Sequence, residues 1–232
     1  MAPDSSAPGS TQPLIAIVGG TGHLGAALAR RWVKAGLNVM IGSRDAARAA
    51  EAAAQLAREC GVPVQGGSNL EAASRGGLIV VTVPYAAHAA TLAEIRSAAA
   101  GKIVVDTTVP LVPPKVMRVQ LPKEGSAAVA AQQLLGDAVT VVSAFHSVAA
   151  HKLATDAIID CDVLVFGDSK EARARVVALA KSAGLRGLHA GALVNSAAAE
   201  ALTSVLIFIN KNYAVDGAGV RITGALNEAA DG

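Results

Sequence analysis

Between residues 14 and 189 the chain alternates short runs of β-branched and other apolar residues with longer alanine-rich stretches. The apolar runs at 14–18, 38–41, 62–65, 78–83 and 102–106 are short and nearly continuous. Strands of a parallel sheet, covered by helices on both faces, have this pattern. The stretches between them, at 24–35, 46–60, 70–75 and 86–99, predict crossover helices. This rhythm predicts an α/β fold: a Rossmann-type, doubly wound, mostly parallel sheet.

Residues 109–125 break the rhythm with Pro110, Pro113, Pro114 and Pro122, which predicts an irregular excursion over the sheet edge. A helix is expected at 127–135 and another at 170–183. The runs VTVVSAF (139–145), CDVLVFG (161–167) and 185–189 read as further strands of the same sheet. A last helix, about 195–210, is apolar on nearly every face, so a second layer or a partner subunit must cover it. The expected division is a disordered tail (1–13), a Rossmann-type domain (14–190) and a small C-terminal helical part (191–232) that completes a cleft. The expected assembly is a homodimer.

Composition narrows the function classes. Of 232 residues, 52% are hydrophobic and 16% charged, which excludes a disordered chain. Aromatic residues make up 3% and the net charge is +2, so neither stacking rings nor a basic stripe points to nucleic acid. Mean hydropathy is +0.44, carried largely by alanines scattered among charges. The best spanning candidate, 193–209, contains Asn195 and Glu200 and is short for a lipid-facing helix, so no membrane partner is expected. The first thirteen residues have no basic start and no apolar run, unlike a signal peptide. Cys60 and Cys161 are too few and too far apart for a disulfide framework, and no motif of metal-ligand spacing occurs. A reducing cytoplasm and no metal are the expectations.

The strongest chemical signal is Gly19-Gly20-Thr21-Gly22-His23-Leu24-Gly25, running from the strand IAIV into the helix LGAALARRWVKAG. Gly20, Gly22 and Gly25 satisfy G-x-G-x-x-G in the strand–turn–helix context that gives this motif meaning. Gly20 is expected to make the tight turn, Gly22 to admit a pyrophosphate and Gly25 to let helix and strand approach closely. The diphosphate then sits on backbone N–H groups at a helix N-terminus, where the dipole favours negative charge. His23 and Thr21 are expected to cap or to touch phosphate.

The second strand bears on which nucleotide binds. An NAD site carries an acid at its end, to accept from the ribose 2′-hydroxyl. Here the strand ends in Ser43-Arg44, with Arg48 four residues on. A hydroxyl and guanidinium groups suit a 2′-phosphate, so NADP(H) is favoured. Asp45 follows the arginine, placed either to cap the next helix or to reach a ribose.

The loops after the strands ending near Val83, Asp106 and Ser143 should wall the nicotinamide, and their small or apolar residues suit stacked flat rings. Holding two rings in register supplies much of the rate of hydride transfer, so no dedicated acid or base is required. The catalytic residue is therefore unknown. His146, at a strand's carboxyl end, is the candidate if one exists, while His88 reads as a structural histidine on a helix.

GGTGHLG, IGSRD, VTVPY followed by His88, VSAFHS, and Val220-Arg221-Ile222-Thr223-Gly224 occur in that order. Together they resemble the F420H2:NADP oxidoreductases, the NADPH-dependent F420 reductases, over residues 14–226. The resemblance implies hydride exchange between NADP(H) and the deazaflavin coenzyme F420. It implies that Thr21, Gly22, His23 and Leu24 hold the pyrophosphate, and Ser43, Arg44 and Arg48 the 2′-phosphate. Tyr85, Leu111 and Ala150 would line the nicotinamide. F420 carries an anionic tail, yet residues 211–216 hold one lysine and one aspartate, so anion capture there should be weak.

Two other readings stay open. One is an NADPH-dependent reductase of a flavin, ferric chelate, imine or keto compound; the other is an NADP-binding sensor without catalysis. A β-hydroxyacid dehydrogenase would place a lysine inside the long helix, whereas Lys211 falls at its end.

Overall fold

The computed structural model describes residues 13–227. Six strands form one parallel sheet: β1 (Ile15–Val18), β2 (Val39–Ser43), β3 (Gln65–Ser68), β4 (Leu78–Val81), β5 (Ile103–Asp106) and β6 (Thr140–Ser143), in the order β3-β2-β1-β4-β5-β6. The order reverses at β1, so the crevice for a ligand opens above its carboxyl end. The crossovers are α1 (His23–Lys34), α2 (Ala46–Cys60), α3 (Asn69–Arg75), α4 (Tyr85–Ala99) and α5 (Ala127–Leu135). Side chains of β1 alternate between two cores. Ile15 and Ile17 join Leu28 and Trp32 on one face, while Ala16 and Val18 join Leu92 and Ile95 on the other.

β3 lies three residues later than expected from the apolar run at 62–65. Gly61 ends α2 in the left-handed conformation (φ 71°), and Pro63 has no N–H to give a ladder. The strand is instead Gln-Gly-Gly-Ser, a poor β sequence stabilised by its neighbours. A Cβ on Gly66 would strike the Ala49 carbonyl of α2, so close helix packing replaces side-chain propensity.

The runs at 161–167 and 185–189 do not extend the main sheet, contrary to expectation. They form β7 (Asp162–Val165) and β8 (Arg186–His189), a separate parallel pair crossed by α7 (Lys170–Ser182). One antiparallel bridge, Ser143 to Phe166, links the pair to β6. β6 ends at once: Phe145 adopts φ 68°, a left-handed turn for a bulky residue, and its buried ring packs edge-on against Trp32. The ladder therefore stops after a single reciprocal exchange of N–H and carbonyl (2.8 and 2.9 Å).

No helix or strand occupies the proline-rich stretch between Asp106 and Ala127, as expected. A single helical turn, α6 (Ala150–Leu153), follows β6. The last helix, α8 (Ser196–Tyr213), runs three residues beyond the expected end and is preceded by a 3-10 turn. The helical stretch Leu193–Tyr213 is long and apolar enough to cross a membrane by length and composition alone. Its inward face mixes polar and apolar residues: Ser196, Glu200 and Ser204 are buried with Ala199 and Leu206, whereas Val205 (43%) and Phe208 (51%) are exposed.

Candidate functional site

The turn after β1 is built by glycine in three distinct ways. Gly19 alone is left-handed (φ 75°), so the tight turn belongs to Gly19 and not to Gly20 as expected. Gly20 packs: its N–H bonds the Gly42 carbonyl (2.9 Å), and a Cβ would lie 2.8 Å from the Ile17 carbonyl. Gly25 lets α1 approach the sheet, since a Cβ there would lie 2.5 Å from Thr82 Oγ1 and 2.7 Å from Gly20 Cα. Gly22 caps α1 with no side-chain hydrogen bond, so the first-turn N–H groups face the crevice without a side-chain partner.

A cleft of about 440 Å³ opens there, between the carboxyl ends of β1, β2 and β4. Its walls bring together Gly19, Thr21 and Gly22 with Ser43, Arg44 and Arg48, the phosphate-loop and second-strand residues expected to meet. Asp45 caps α2 by accepting from the N–H groups of Ala47 (3.0 Å) and Arg48 (3.2 Å). Asp45 also lines the cleft, with that one carboxylate oxygen, Oδ1, committed to the helix end. Ser43 Oγ sits 3.5 Å from Thr21 Oγ1 and accepts from the Asp45 N–H (3.2 Å), drawing the two loops together. Arg44 and Arg48 are exposed along the rim. An uncapped helix end, a hydroxyl and two guanidinium groups around one cleft fit NADP(H).

Several expected residues lie elsewhere. His23 is exposed and borders a second groove of about 400 Å³ between α1 and α2, which it shares with Thr21, Gly22 and Arg30. Leu24 packs against the core, so only its backbone is offered to a ligand. Tyr85 is half-buried at the start of α4, stacked on His88 (6.4 Å between ring centres), in a groove against α5. Leu111 and Ala150 line none of these cavities, although they follow β5 and β6 on the same end of the sheet.

The chain closely resembles proteins whose chemistry is named. A family model described as "NADP oxidoreductase coenzyme F420-dependent" matches residues 14–110. The F420-dependent NADP reductase of Methanothermobacter thermautotrophicus is 38% identical over 218 residues, covering 90% of this chain and 94% of that one. The chain belongs to the F420-dependent NADP oxidoreductase family. The F420-dependent NADP reductase of Methanocaldococcus jannaschii is 37% identical over 219 residues, covering 90% of this chain and 97% of that one. A solved Arthrobacter sp. FB24 structure, itself a proposed F420-dependent NADP reductase, shares the fold, with TM-score 0.76 and 24% identity over 92% of this chain and all of that one.

Beside the expected cleft, this family member buries a cluster of ionisable groups that the sequence reading did not assemble. Asp106, at the end of β5, accepts from the Thr108 N–H (3.0 Å), and its Oδ2 lies 2.8 Å from His88 Nε2. Burial alone would lower the His88 pKa, but the hydrogen bond and charge of Asp106 raise it overall. Glu200 of α8 accepts from the N–H groups of Ala127 (2.6 Å) and Ala128 (3.1 Å), stapling α8 to the start of α5. Burial pushes its carboxyl up to about 7, with the Asp106 charge adding to the rise. His146 is buried, 2.8 Å from Ser143 Oγ, and burial pushes it down to about 4, so it is neutral near pH 7. The one available signal was placement: an acid closing a strand of the sheet, and a lone glutamate in an apolar helix.

The C-terminal motif docks alongside β7. The Asp162 N–H donates to the Val220 carbonyl (2.7 Å), and Asp162 Oδ2 accepts from the Ile222 N–H (2.7 Å) and from Arg186 (2.6 Å). Asp216 Oδ1 lies 2.7 Å from His151 Nε2, tying residues 211–216 to α6.

Proposed function

We propose that this protein passes a hydride between NADP(H) and the deazaflavin coenzyme F420, both bound as substrates. The observation that carries the reading is the end of β2. Asp45 lines the cleft too, but its Oδ1 is taken up by two N–H groups of the helix it caps, beside Ser43, Arg44 and Arg48 on the same wall. A 2′-phosphate is the group that answers this set, and the 37–38% identical relatives carry the matching name. In this reading the backbone of Thr21, Gly22, His23 and Leu24 holds the pyrophosphate. Tyr85, Leu111 and Ala150 border the nicotinamide, each lying just after a carboxyl end of the sheet.

The two coenzymes supply the hydride chemistry, and the chain's part is to bind, orient and exclude water. His146 is assigned no proton transfer, because a neutral imidazole bonded to Ser143 in a buried site is held in place by its surroundings. Lys211 is the one cation of residues 211–216, so the F420 tail is captured by other cations or held weakly. The reading includes a division at about residue 190, with 191–232 completing the cleft. It also includes a cytoplasmic homodimer, which would cover the exposed Val205 and Phe208 of α8.

The test is NADPH oxidation by the purified protein with F420 as acceptor, followed by loss of the deazaflavin's visible absorbance, with FMN and NADH as controls. Turnover with F420 and NADPH is expected. Tight NADPH binding with no F420 turnover would reject the acceptor and return the choice to another reductase or a sensor.

A further inference from the structure

One wall residue of the cleft has no role in the reading so far. Asn69 opens α3, directly after Ser68, which pairs in register with Ser43 of β2. It is not needed as a cap, because Ser68 Oγ already accepts from the Glu71 N–H (3.0 Å). Its side chain instead reaches the carboxyl end of β1, where Oδ1 accepts from the Gly19 N–H (3.1 Å). Gly42 keeps that route clear, since a Cβ there would lie 3.3 Å from Asn69 Cα and 3.0 Å from the Ala72 Cβ.

The Gly19 bond settles which way round the amide sits: the atom meeting an N–H must be the oxygen. Nδ2 is then left as a donor pair with no acceptor, and among the described residues it is one of two buried side-chain atoms without a partner. Asn69 is 1% exposed, and no side chain or backbone group of the described residues meets Nδ2. A buried donor without an acceptor is costly and rare enough to call for an explanation. The same residue lines the cleft together with Ser43, Arg44 and Arg48.

We infer that Asn69 is a nucleotide-discriminating residue, whose Nδ2 donates to the 2′-phosphate of bound NADP(H) while Oδ1 holds the Gly19 turn. This deepens the NADP(H) reading and rests on it. An amide nitrogen donates only, which suits a phosphate oxygen. A carboxylate in its place would repel that phosphate, but would accept from the 2′-hydroxyl of NAD(H) and still hold Gly19.

The test is Asn69→Asp, with dissociation constants for NADPH and NADH measured by calorimetry on the full chain. NADPH affinity should fall on the order of tenfold or more, while NADH affinity stays unchanged or improves. Retained NADH binding also reports that the variant is folded. Equal changes for both nucleotides would mean that Asn69 only anchors Gly19, and would overturn the inference. A second measurement uses the wild-type chain: the Asn69 side-chain amide proton resonances should shift with NADP+ and much less with NAD+. Identical shifts would likewise overturn it. If the wild-type chain shows no preference for NADPH over NADH, the NADP(H) reading fails first and the Asn69 assignment with it.

Discussion

The two ends of this protein treat polar residues in opposite ways. Around β1, α1 and β2, glycines make room and polar groups line an open cleft, so each residue type announces its task. On α8 three polar residues, Ser196, Glu200 and Ser204, are buried alongside Ala199 and Leu206, while Val205 and Phe208 face out. Glu200 is 1% exposed while Phe208 is half exposed, the reverse of an ordinary surface helix. In the first region local chemistry limits what can bind, because helix N-terminal N–H groups without a side-chain cap suit an anion. In the second, tertiary neighbours decide: Glu200 is tolerated because the start of α5 supplies two N–H donors. A motif search sees the first kind of site and passes over the second.

The contrast can be broken hardest at Gly25. Gly25→Val would push branched carbons into Thr82 and the Gly20 backbone, an overpacking of about 1–3 kcal/mol that shifts α1 off the turn. NADPH binding should be lost in calorimetry while the protein still melts cooperatively. Normal affinity would mean that the turn does not depend on close helix approach.

Glu200 probes the other region through pH. Its folded pKa is about 7 against an ordinary 4.5, so between those values the folded protein keeps a proton that the unfolded chain releases. Its effect is therefore a loss of stability as pH rises from about 4.5 to 7, with the loss complete above that, roughly 3 kcal/mol in all. Glu200→Gln should remove this slope, seen as a difference between the two denaturation curves that changes across pH 5–8. Parallel pH profiles would place Glu200 in contact with water.

Arg44→Ala sharpens the comparison on the cleft side. Removing a charged donor should weaken NADPH binding about tenfold to a hundredfold and leave NADH nearly unchanged. Equal losses for both would remove Arg44 from the 2′-phosphate.

The smallest effect is expected at His146. His146→Ala should leave hydride transfer within about a hundredfold of the wild-type rate, because orientation and not proton transfer governs the step. The buried neutral ring should instead show in acid: stability should fall as pH drops from about 6.5 towards 4, and the variant should lack that component. A rate loss near ten-thousand-fold would make His146 a catalytic acid or base after all.

Much of the first region was legible before any coordinates. The spans of α2 and α5 follow from the sequence pattern, and Gly19, Thr21 and Gly22 of the loop line one cleft with Ser43, Arg44 and Arg48, whereas His23 borders another groove. Less legible was which glycine turns, because φ at Gly19 depends on the neighbouring chain and not on the motif's spacing. β3 is not legible in the sequence, because its Gln-Gly-Gly-Ser has little strand propensity and owes its conformation to α2 and β2. β7 and β8 were read as strands correctly, yet no periodicity reveals which sheet a strand joins.

The sequence by itself determined the doubly wound fold, the glycine turn that opens α1 and the basic end of β2. These follow from hydrophobic period, glycine stereochemistry and side-chain charge, all local properties of a few adjacent residues. Only the tertiary structure decided that Asn69 crosses to Gly19, and that His88 meets Asp106 while Glu200 staples α8 to α5. Each of those joins atoms through hydrogen bonds whose partners are fixed by packing, and the longest of them, Glu200 to Ala127, spans 73 positions of chain.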